Sequence, residues 1–562
     1  MLQPKLWIRA ASLSARLGSF RGVSPPSLTT NLRSLIRAAQ GVSVVVTGDT
    51  LARRYICRMS FTETIALALL DWQSSSFRPP LPKRSMPSHR FLSLRGRSDI
   101  DRLPNELLST IFMFAIEQHC HDEPTPFTTS PTTISHICHR WRQVALETGN
   151  LWTNIVLTFP TSNEQLTRTF TWLSRSKNYS LDILLDFRDP EWDWEDEDTH
   201  GFRWADMEAV LRLLLPTAAR WRTVELLTDT WAPMFAFLLH TRSVGASMNR
   251  LETLHLARCN AYFARKGQLF EPTALGHHLP LFGGAGAITP RLREVTLTGV
   301  HIDWSAPPLA NLTKLELKYQ AVDVMPTIAH FTQILAASPN LEVLSIVGRG
   351  PQFISEESTK ADERGRIILE RVTKFTFGFV DVSYAVELLS MFDLPALCEL
   401  SLEDVSASLQ HQPPDDASAL LEWLASLVDA VGDSLSPLPS SDAADLASAS
   451  ASQLPLGQLK TLILLSIFAP RATFARLYET CPELRVLRLC DSSDSALKAL
   501  GTEGSETLGA GGAEGNLPHL KSLFVRGIHK ELFTQAVSMR ETTLEDSQFE
   551  ESAITEYAEH DT

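Results

Sequence analysis

Two short segments place histidine and cysteine close enough in sequence to bind zinc. One is the HCH of residues 119–121, and the other lies within SHICHRW at 135–141. A structural zinc site needs about four imidazole or thiolate ligands that converge tetrahedrally, often as pairs two to four residues apart. Neighbouring side chains of a helix instead diverge by about 100°, and Cys138 occupies an apolar position with Trp141. The segments therefore predict packing and solvated histidines, with no metal and no cofactor.

Other motifs that carry chemistry are missing from the sequence. The glycine-rich stretches at 283–287 and 508–515 lack the GxxxxGK[ST] pattern of a phosphate-binding loop. The chain contains no GxSxG nucleophile motif and no HExxH zinc motif. The acidic segment DPEWDWEDEDTH at 189–200 is typical of a solvated loop, although Trp192 and Trp194 would also suit contact with a basic partner. We therefore expect a protein that is not an enzyme.

The chain is acidic overall but begins with a basic segment. Its 562 residues carry a formal net charge of −14, yet residues 1–100 contain 15 Lys and Arg against four Asp and Glu. Phosphate binding needs clustered cations, so the acidic remainder argues against nucleic acid as a partner. Seven scattered cysteines without a CxxC pair favour a reducing compartment, and no apolar run approaches the roughly 20 residues that span a bilayer. We expect a cytoplasmic or nuclear protein with no membrane partner.

Residues 1–99 form the first expected region, which is basic and largely disordered. Up to Arg58 the segment is rich in arginine and serine and nearly free of acids, the composition of an organellar transit peptide. A mitochondrial location is therefore the minority alternative. The other interpretations are a retained basic tail, or sequence that precedes an internal start at Met59.

Two amphipathic helices are predicted between residues 100 and 160. In DRLPNELLSTIFMFAI, Pro104 suits a first helical turn, and apolar residues recur at helical spacing from Leu107 to Ala115. A polar, proline-bearing insertion follows at 117–133. The second helix has apolar residues at three- and four-residue steps: Ile134, Ile137, Cys138, Trp141, Val144 and Ala145. Short helices with such broad apolar faces need each other or a partner surface.

Beyond residue 220 the template L-x-x-L-x-L, with aliphatic replacements, occurs eight times. In each copy the paired leucines point inward and the residue between them points outward, and stacked copies supply the core that one copy lacks. This pattern is typical of a leucine-rich-repeat solenoid. The first leucines of the copies are Leu251, Leu292, Leu312, Leu341, Leu397, Leu459, Leu484 and Leu520, and weaker copies start at Trp221 and Val372.

The predicted fold class is α/β, with a short helical module before a solenoid. The module spans 100–160, and a connecting helix and strand region spans 161–219. An irregular leucine-rich-repeat solenoid with a curved parallel sheet is expected at 220–545, interrupted by flexible inserts near 406–456 and 501–516. An acidic disordered tail is expected at 546–562.

Residues 101–157 resemble the F-box motif. LPNELLSTIF is similar to the LPxE opening of its first helix, and ISHICHRWRQVALETGNLWTNIVL contains a VCxxW-like part. The resemblance implies a non-catalytic substrate receptor, whose F-box binds a Skp-type adaptor and through it the cullin and RING subunits of a ubiquitin ligase. The insertion at 117–133 separates the two parts more widely than the compact motif does. Carried over, the adaptor-binding residues would be Leu103, Pro104, Leu107, Ile111, Phe112, Ile137, Cys138 and Trp141.

The resemblance also implies that the repeats select an unidentified protein substrate. An apolar patch near Ile463 and Phe524 would fit a protein epitope better than a phosphate. The alternative is a non-ligase interaction scaffold in which the F-box-like helices cap the solenoid, because terminal repeats need capping. Substrate contacts are expected at the outward residues between the paired leucines: His255, Thr296, Glu316, Ser345, Ser401, Ile463, Arg488 and Phe524.

Overall fold

A computed structural model describes most of the chain beyond residue 98. The described residues are 99–118, 130–192, 199–259, 269–286, 289–305, 307, 309–353, 366–406, 415–432, 454–501, 516–540 and 544–551. The expected basic region, most of the insertion at 117–133, and large parts of both inserts therefore lie outside the described residues. The described residues form two compact units, one of those up to 156 together with 171–179, the other of 157–170 and those from 180 onward.

The first unit contains the predicted helices, packed around aromatic side chains. The rings of Phe112 and Trp141 lie 4.9 Å apart, and both side chains are buried. Trp152 is fully buried, donates from Nε1 to the Ala145 carbonyl at 2.8 Å, and meets Trp172 edge-on at 5.4 Å. The elements that begin in this unit are α1 (Asn105–Gln118), α2 (Ser130–Ile137), α3 (His139–Glu147) and β1 (Asn154–Thr158).

The prediction of one continuous helix through residues 134–145 is wrong. Cys138 interrupts it with an extended backbone (φ −154°, ψ 171°) and forms the N-cap of α3, where its Sγ accepts a hydrogen bond from Trp141 N at 3.4 Å. Cys138 is therefore exposed rather than part of a buried stripe with Trp141. Buried Ile134 and Trp141 belong to different helices. The apolar spacing continues across the break, which is why the sequence pattern conceals it.

The second unit is an α/β structure built on one large parallel sheet. The strands of this sheet follow in the order β2-β3-β4-β5-β6-β7-β9-β11-β12-β13-β14-β15, and the short β8 and β10 pair separately. The strands after β1 are β2 (Leu181–Asp186), β3 (Trp221–Thr228), β4 (Thr253–Arg258), β5 (Glu294–Thr298), β6 (Lys314–Lys318), β7 (Val343–Val347), β8 (Ile367–Ile368), β9 (Lys374–Phe379), β10 (Phe392–Asp393), β11 (Glu399–Asp404), β12 (Thr461–Leu465), β13 (Val486–Cys490), β14 (Ser522–Arg526) and β15 (Asp546–Glu550).

Helices connect many of these strands. In the described part of the chain, α6 packs on β3 and β4, α8 on β9, and α12 on β15. The helices from α4 onward are α4 (Asn163–Arg175), α5 (Trp204–Leu214), α6 (Trp231–Thr241), α7 (Ile328–Ala336), α8 (Val382–Leu389), α9 (Ser418–Gly432), α10 (Arg471–Glu479), α11 (Asp494–Lys498) and α12 (Lys530–Met539).

Each of the eight L-x-x-L-x-L copies forms a strand of the large sheet, as do the two weaker copies. The first leucine of every copy is buried, and so are Trp221 and Val372. The paired leucines within the strands, such as Leu254 and Leu256 of β4, are also buried. Alternation therefore places the hydrophobic core on one face of the sheet and the intervening residues on the other.

The sheet extends beyond the predicted limits of 220 and 545 at both ends. β2 pairs in parallel with β3, so the region expected to connect two domains already belongs to the sheet. Residues 546–550, expected to begin a disordered acidic tail, form β15 and pair with β14 from Asp546 to Glu550. The sequence DSQFE carries only a weak hydrophobic signal, because Phe549, whose ring lies 5.3 Å from that of Phe533, is its one apolar residue.

Candidate protein-binding surfaces

Helix α1 has two apolar faces, only one of which packs inside the first unit. Leu108, Phe112 and Ala115 are buried. Leu107 and Phe114 are 52% and 60% exposed, and Ile111 between them is half-buried. Residues at steps of four and three lie on the same side of a helix. Leu107, Ile111 and Phe114 therefore form one outer stripe, which the described residues leave largely open to solvent.

The structure divides the predicted adaptor-binding residues between this surface and the core. Leu107, Pro104 and Cys138 are exposed, while Leu103, Ile111 and Ile137 are half-buried. Phe112 and Trp141 are buried against each other, so the prediction that their side chains meet an adaptor is corrected: they hold α1 and α3 together. Phe114 was missed, although its spacing of seven from Leu107 was a readable signal.

Arg140 fixes the start of α3 beside the start of α1. Its guanidinium donates to the Asn105 side-chain oxygen, from Nε at 3.2 Å and from Nη2 at 3.0 Å, and also to the Leu103 carbonyl. These bonds bring the chain around Pro104 next to the segment that contains Cys138. A surface arginine in the sequence gives no hint of this role, because its partners are 35 and 37 residues away.

All eight predicted substrate-contacting residues lie in one row across the open face of the large sheet. The cross-strand register also adds Glu225 of β3, Thr376 of β9 and Gln548 of β15. Thr376 belongs to the weak copy that starts at Val372. The row runs Glu225, His255, Thr296, Glu316, Ser345, Thr376, Ser401, Ile463, Arg488, Phe524 and Gln548.

The polar residues at the β3 end of the row bind one another. His255 Nδ1 lies 3.1 Å from Glu225 Oε1, and the Thr296 hydroxyl donates to Glu316 Oε2 at 2.9 Å. The same Glu316 oxygen lies 3.4 Å from the Nζ atoms of both Lys314 and Lys318. Burial would raise the pKa of the Glu316 carboxyl, but the two ammonium groups outweigh it and lower that pKa. This part of the row is a paired network with little unpaired charge to offer a ligand.

The middle of the row is closed. Ser345 and Ser401 are 1% and 8% exposed, so the prediction that they contact a substrate is corrected by their burial. Beside them, a Cβ added to Gly378 would come within 2.7 Å of Val347 Cγ1, which shows how closely adjacent strands pack there. At the β12–β14 end, by contrast, the half-buried Ile463 and Phe524 flank the exposed Arg488, so large side chains reach open surface there.

The candidate metal ligands do not converge. Cys138 caps α3, and His136 and His139 lie on either side of that cap; the HCH of 119–121 falls outside the described residues. Among the described residues no group of three or more His, Cys, Asp or Glu is arranged to hold a metal ion. The described helices also include none long and apolar enough to cross a membrane.

The acidic segment 189–200 is described only at its ends. Trp192 Nε1 donates to the Thr199 hydroxyl at 3.0 Å, and its ring meets His200 edge-on at 5.0 Å. Trp192 is thus engaged within the chain rather than presented as a free anchor. Trp194, its predicted partner in such a contact, lies outside the described residues.

No known protein family matches this chain, and no curated protein matches it either. Three features of the chain bear on its function: the outer stripe of α1, the open end of the sheet row, and the motif resemblance at 101–157.

Proposed function

We propose that this protein is a non-catalytic substrate receptor of a cullin–RING ubiquitin ligase. Its N-terminal helices would bind a Skp-type adaptor, and its sheet a protein substrate. The observation that carries the proposal is the outer stripe of α1. Soluble chains rarely leave adjacent large apolar side chains open without a partner, and an amphipathic helix face is a common docking element.

The architecture of the second unit supports the receptor hypothesis. Parallel strands in sequence order, each with buried leucines, are expected of stacked leucine-rich repeats. The sheet then presents side chains to a partner at the two ends of its row, on either side of the buried Ser345 and Ser401.

The test is capture of a Skp-type adaptor by the full-length protein and by the double variant Leu107→Asp/Phe114→Asp. Each side chain would bury about half its surface in the complex, so their loss costs roughly 2–3 kcal/mol together, a factor of about 30 to 150 in affinity. Phe170→Asp, at a side chain 65% exposed outside the stripe, is the matched control. Circular dichroism establishes that each variant is folded.

Capture that is lost in the double variant and kept in the control supports the receptor. If the folded wild-type protein captures no adaptor, the receptor proposal is wrong. The non-ligase scaffold, in which the helices serve as a cap, is then favoured.

A further inference from the structure

The open face of β12–β14 carries an apolar patch around one arginine. Leu462, Leu464, Leu487, Leu489, Leu523 and Val525 turn into the core, so the alternate residues face solvent. Ile463, Leu465, Val486 and Phe524 on that face are all half-buried, and we call these four residues the apolar patch. The register places Arg488 directly between Ile463 and Phe524.

Arg488 differs from the other charged residues of the open face. Among the described residues, its guanidinium contacts the Phe524 ring, whose centroid lies 5.9 Å from the guanidinium carbon. The neighbouring Arg526, by contrast, is paired with Asp491 at 3.0 Å, and Lys314 and Lys318 share Glu316. A guanidinium that lies over an aromatic ring is held in place while its N–H groups remain able to bind a carboxylate bidentately.

We propose that the apolar patch and Arg488 bind an acidic, hydrophobic segment of the substrate protein. An apolar side chain of that segment would cover Ile463 and Phe524, and a neighbouring carboxylate would pair with Arg488. The inference rests on the proposed receptor function and specifies its substrate class. Arginine and aromatic residues in the centre of a protein interface commonly dominate its binding energy.

The surroundings favour a carboxylate over a phosphate. Phosphoserine carries a charge of about −1.5 to −2 and is usually held by several arginines, whereas in the described part of the chain the patch offers one guanidinium, that of Arg488, outside an ion pair. The flanking strands add carboxylates, with Glu403 beside Leu465 and Glu550 beside Arg526 in the register. These groups repel a dianion more than a single carboxylate, because the repulsion grows with the ligand's charge.

The experiment is a selection of phage-displayed random 12-residue peptides on the full-length protein. We expect enriched peptides to place Asp or Glu within two positions of an aliphatic or aromatic residue. Synthetic versions of the enriched peptides should bind Arg488→Gln and Phe524→Ala on the order of 10-fold more weakly, as substitutions at an interface centre do. Arg476→Gln, at an exposed arginine of α10, is the matched control and should bind as the wild type does.

Three outcomes would overturn the proposal. In the first, no acidic, hydrophobic peptide is enriched, or the enriched peptides bind Arg488→Gln as tightly as the wild type. In the second, replacing the peptide's Glu by phosphoserine strengthens binding more than about tenfold, which assigns the site to phosphorylated partners. In the third, peptides bind only a chain that ends at Glu551, so that the protein's own acidic C-terminal residues are the occupant.

Adaptor capture measured on the same preparations separates this inference from the receptor proposal. Arg488→Gln should capture the adaptor as the wild type does. Peptide binding without adaptor capture would contradict only the proposed receptor function. Adaptor capture without peptide binding would contradict only the proposed class of substrate.

Discussion

His301 is a fully buried histidine that makes the stability of the second unit depend on pH. Its ring stacks on Trp231 with centroids 4.7 Å apart and meets Phe270 edge-on at 4.3 Å. Burial, helped by the nearby charges of His278 and Arg258, lowers the pKa of His301 to about 3. The folded protein therefore keeps this imidazole neutral, whereas the unfolded chain protonates it below pH of about 6.5.

Replacing His301 by Phe should make the protein less sensitive to acid. The wild type loses stability as the pH falls from about 6.5 toward 3, because only its unfolded state gains a proton there. As the pH falls from 7 to 5, the free energy of unfolding of the wild type should decrease by about 2 kcal/mol more than that of His301→Phe. Urea unfolding at a series of pH values measures this difference.

The same replacement at exposed His519 controls for the general effect of losing one imidazole. Parallel stability curves for wild type and His301→Phe over this pH range would contradict the prediction.

At the scale of single elements, local apolar spacing identifies helices but not always their ends. The positions from Ile134 to Ala145 fit one helix, yet Cys138 divides them into α2 and α3. Cysteine is a weak acceptor and gives no sequence signal as a cap, so spacing alone could not locate the break. The outer stripe of α1 was hidden for a related reason: periodicity reports apolar positions, and only packing decides which of them are covered.

Cys138→Asp distinguishes an N-cap from a buried helix position. Aspartate is a better cap than cysteine and places a negative charge at the start of α3, which has no acidic residue in its first turn. We expect the free energy of unfolding of the first unit to rise by about 0.5–1 kcal/mol. Hydrogen–deuterium exchange of the peptides that cover residues 139–152 measures it.

Cys138→Ala, which has no side-chain acceptor, is the comparison and should be less stable than Cys138→Asp. A continuous helix with Cys138 in the core would give the opposite order, because burying an unpaired carboxylate there costs several kcal/mol.

Across the whole molecule, the sequence predicts those strands whose side chains form the core. Eight copies and two weaker ones all became strands, and their register placed the outward residues from His255 to Phe524 in one row. Burial along that row was not predictable, because Ser345 and Ser401 occupy outward positions of the alternating pattern and are nevertheless buried. The strands at the ends were missed as members of the sheet, since β15 pairs through backbone groups.

The extent of the sheet at β15 can be tested with two prolines. In a parallel pair the backbone groups of alternate residues face the same neighbour. Asp546 N donates to the Lys521 carbonyl, and Gly527 N donates to the Glu550 carbonyl, so Gln548 also faces β14. Ser547 faces the open edge, where a strand tolerates proline.

Gln548→Pro should therefore remove a ladder hydrogen bond worth about 1 kcal/mol, and Ser547→Pro should not. Hydrogen–deuterium exchange at residues 522–527 should accelerate in Gln548→Pro alone. If both variants exchange like the wild type, residues 546–550 belong to a tail and β15 does not form.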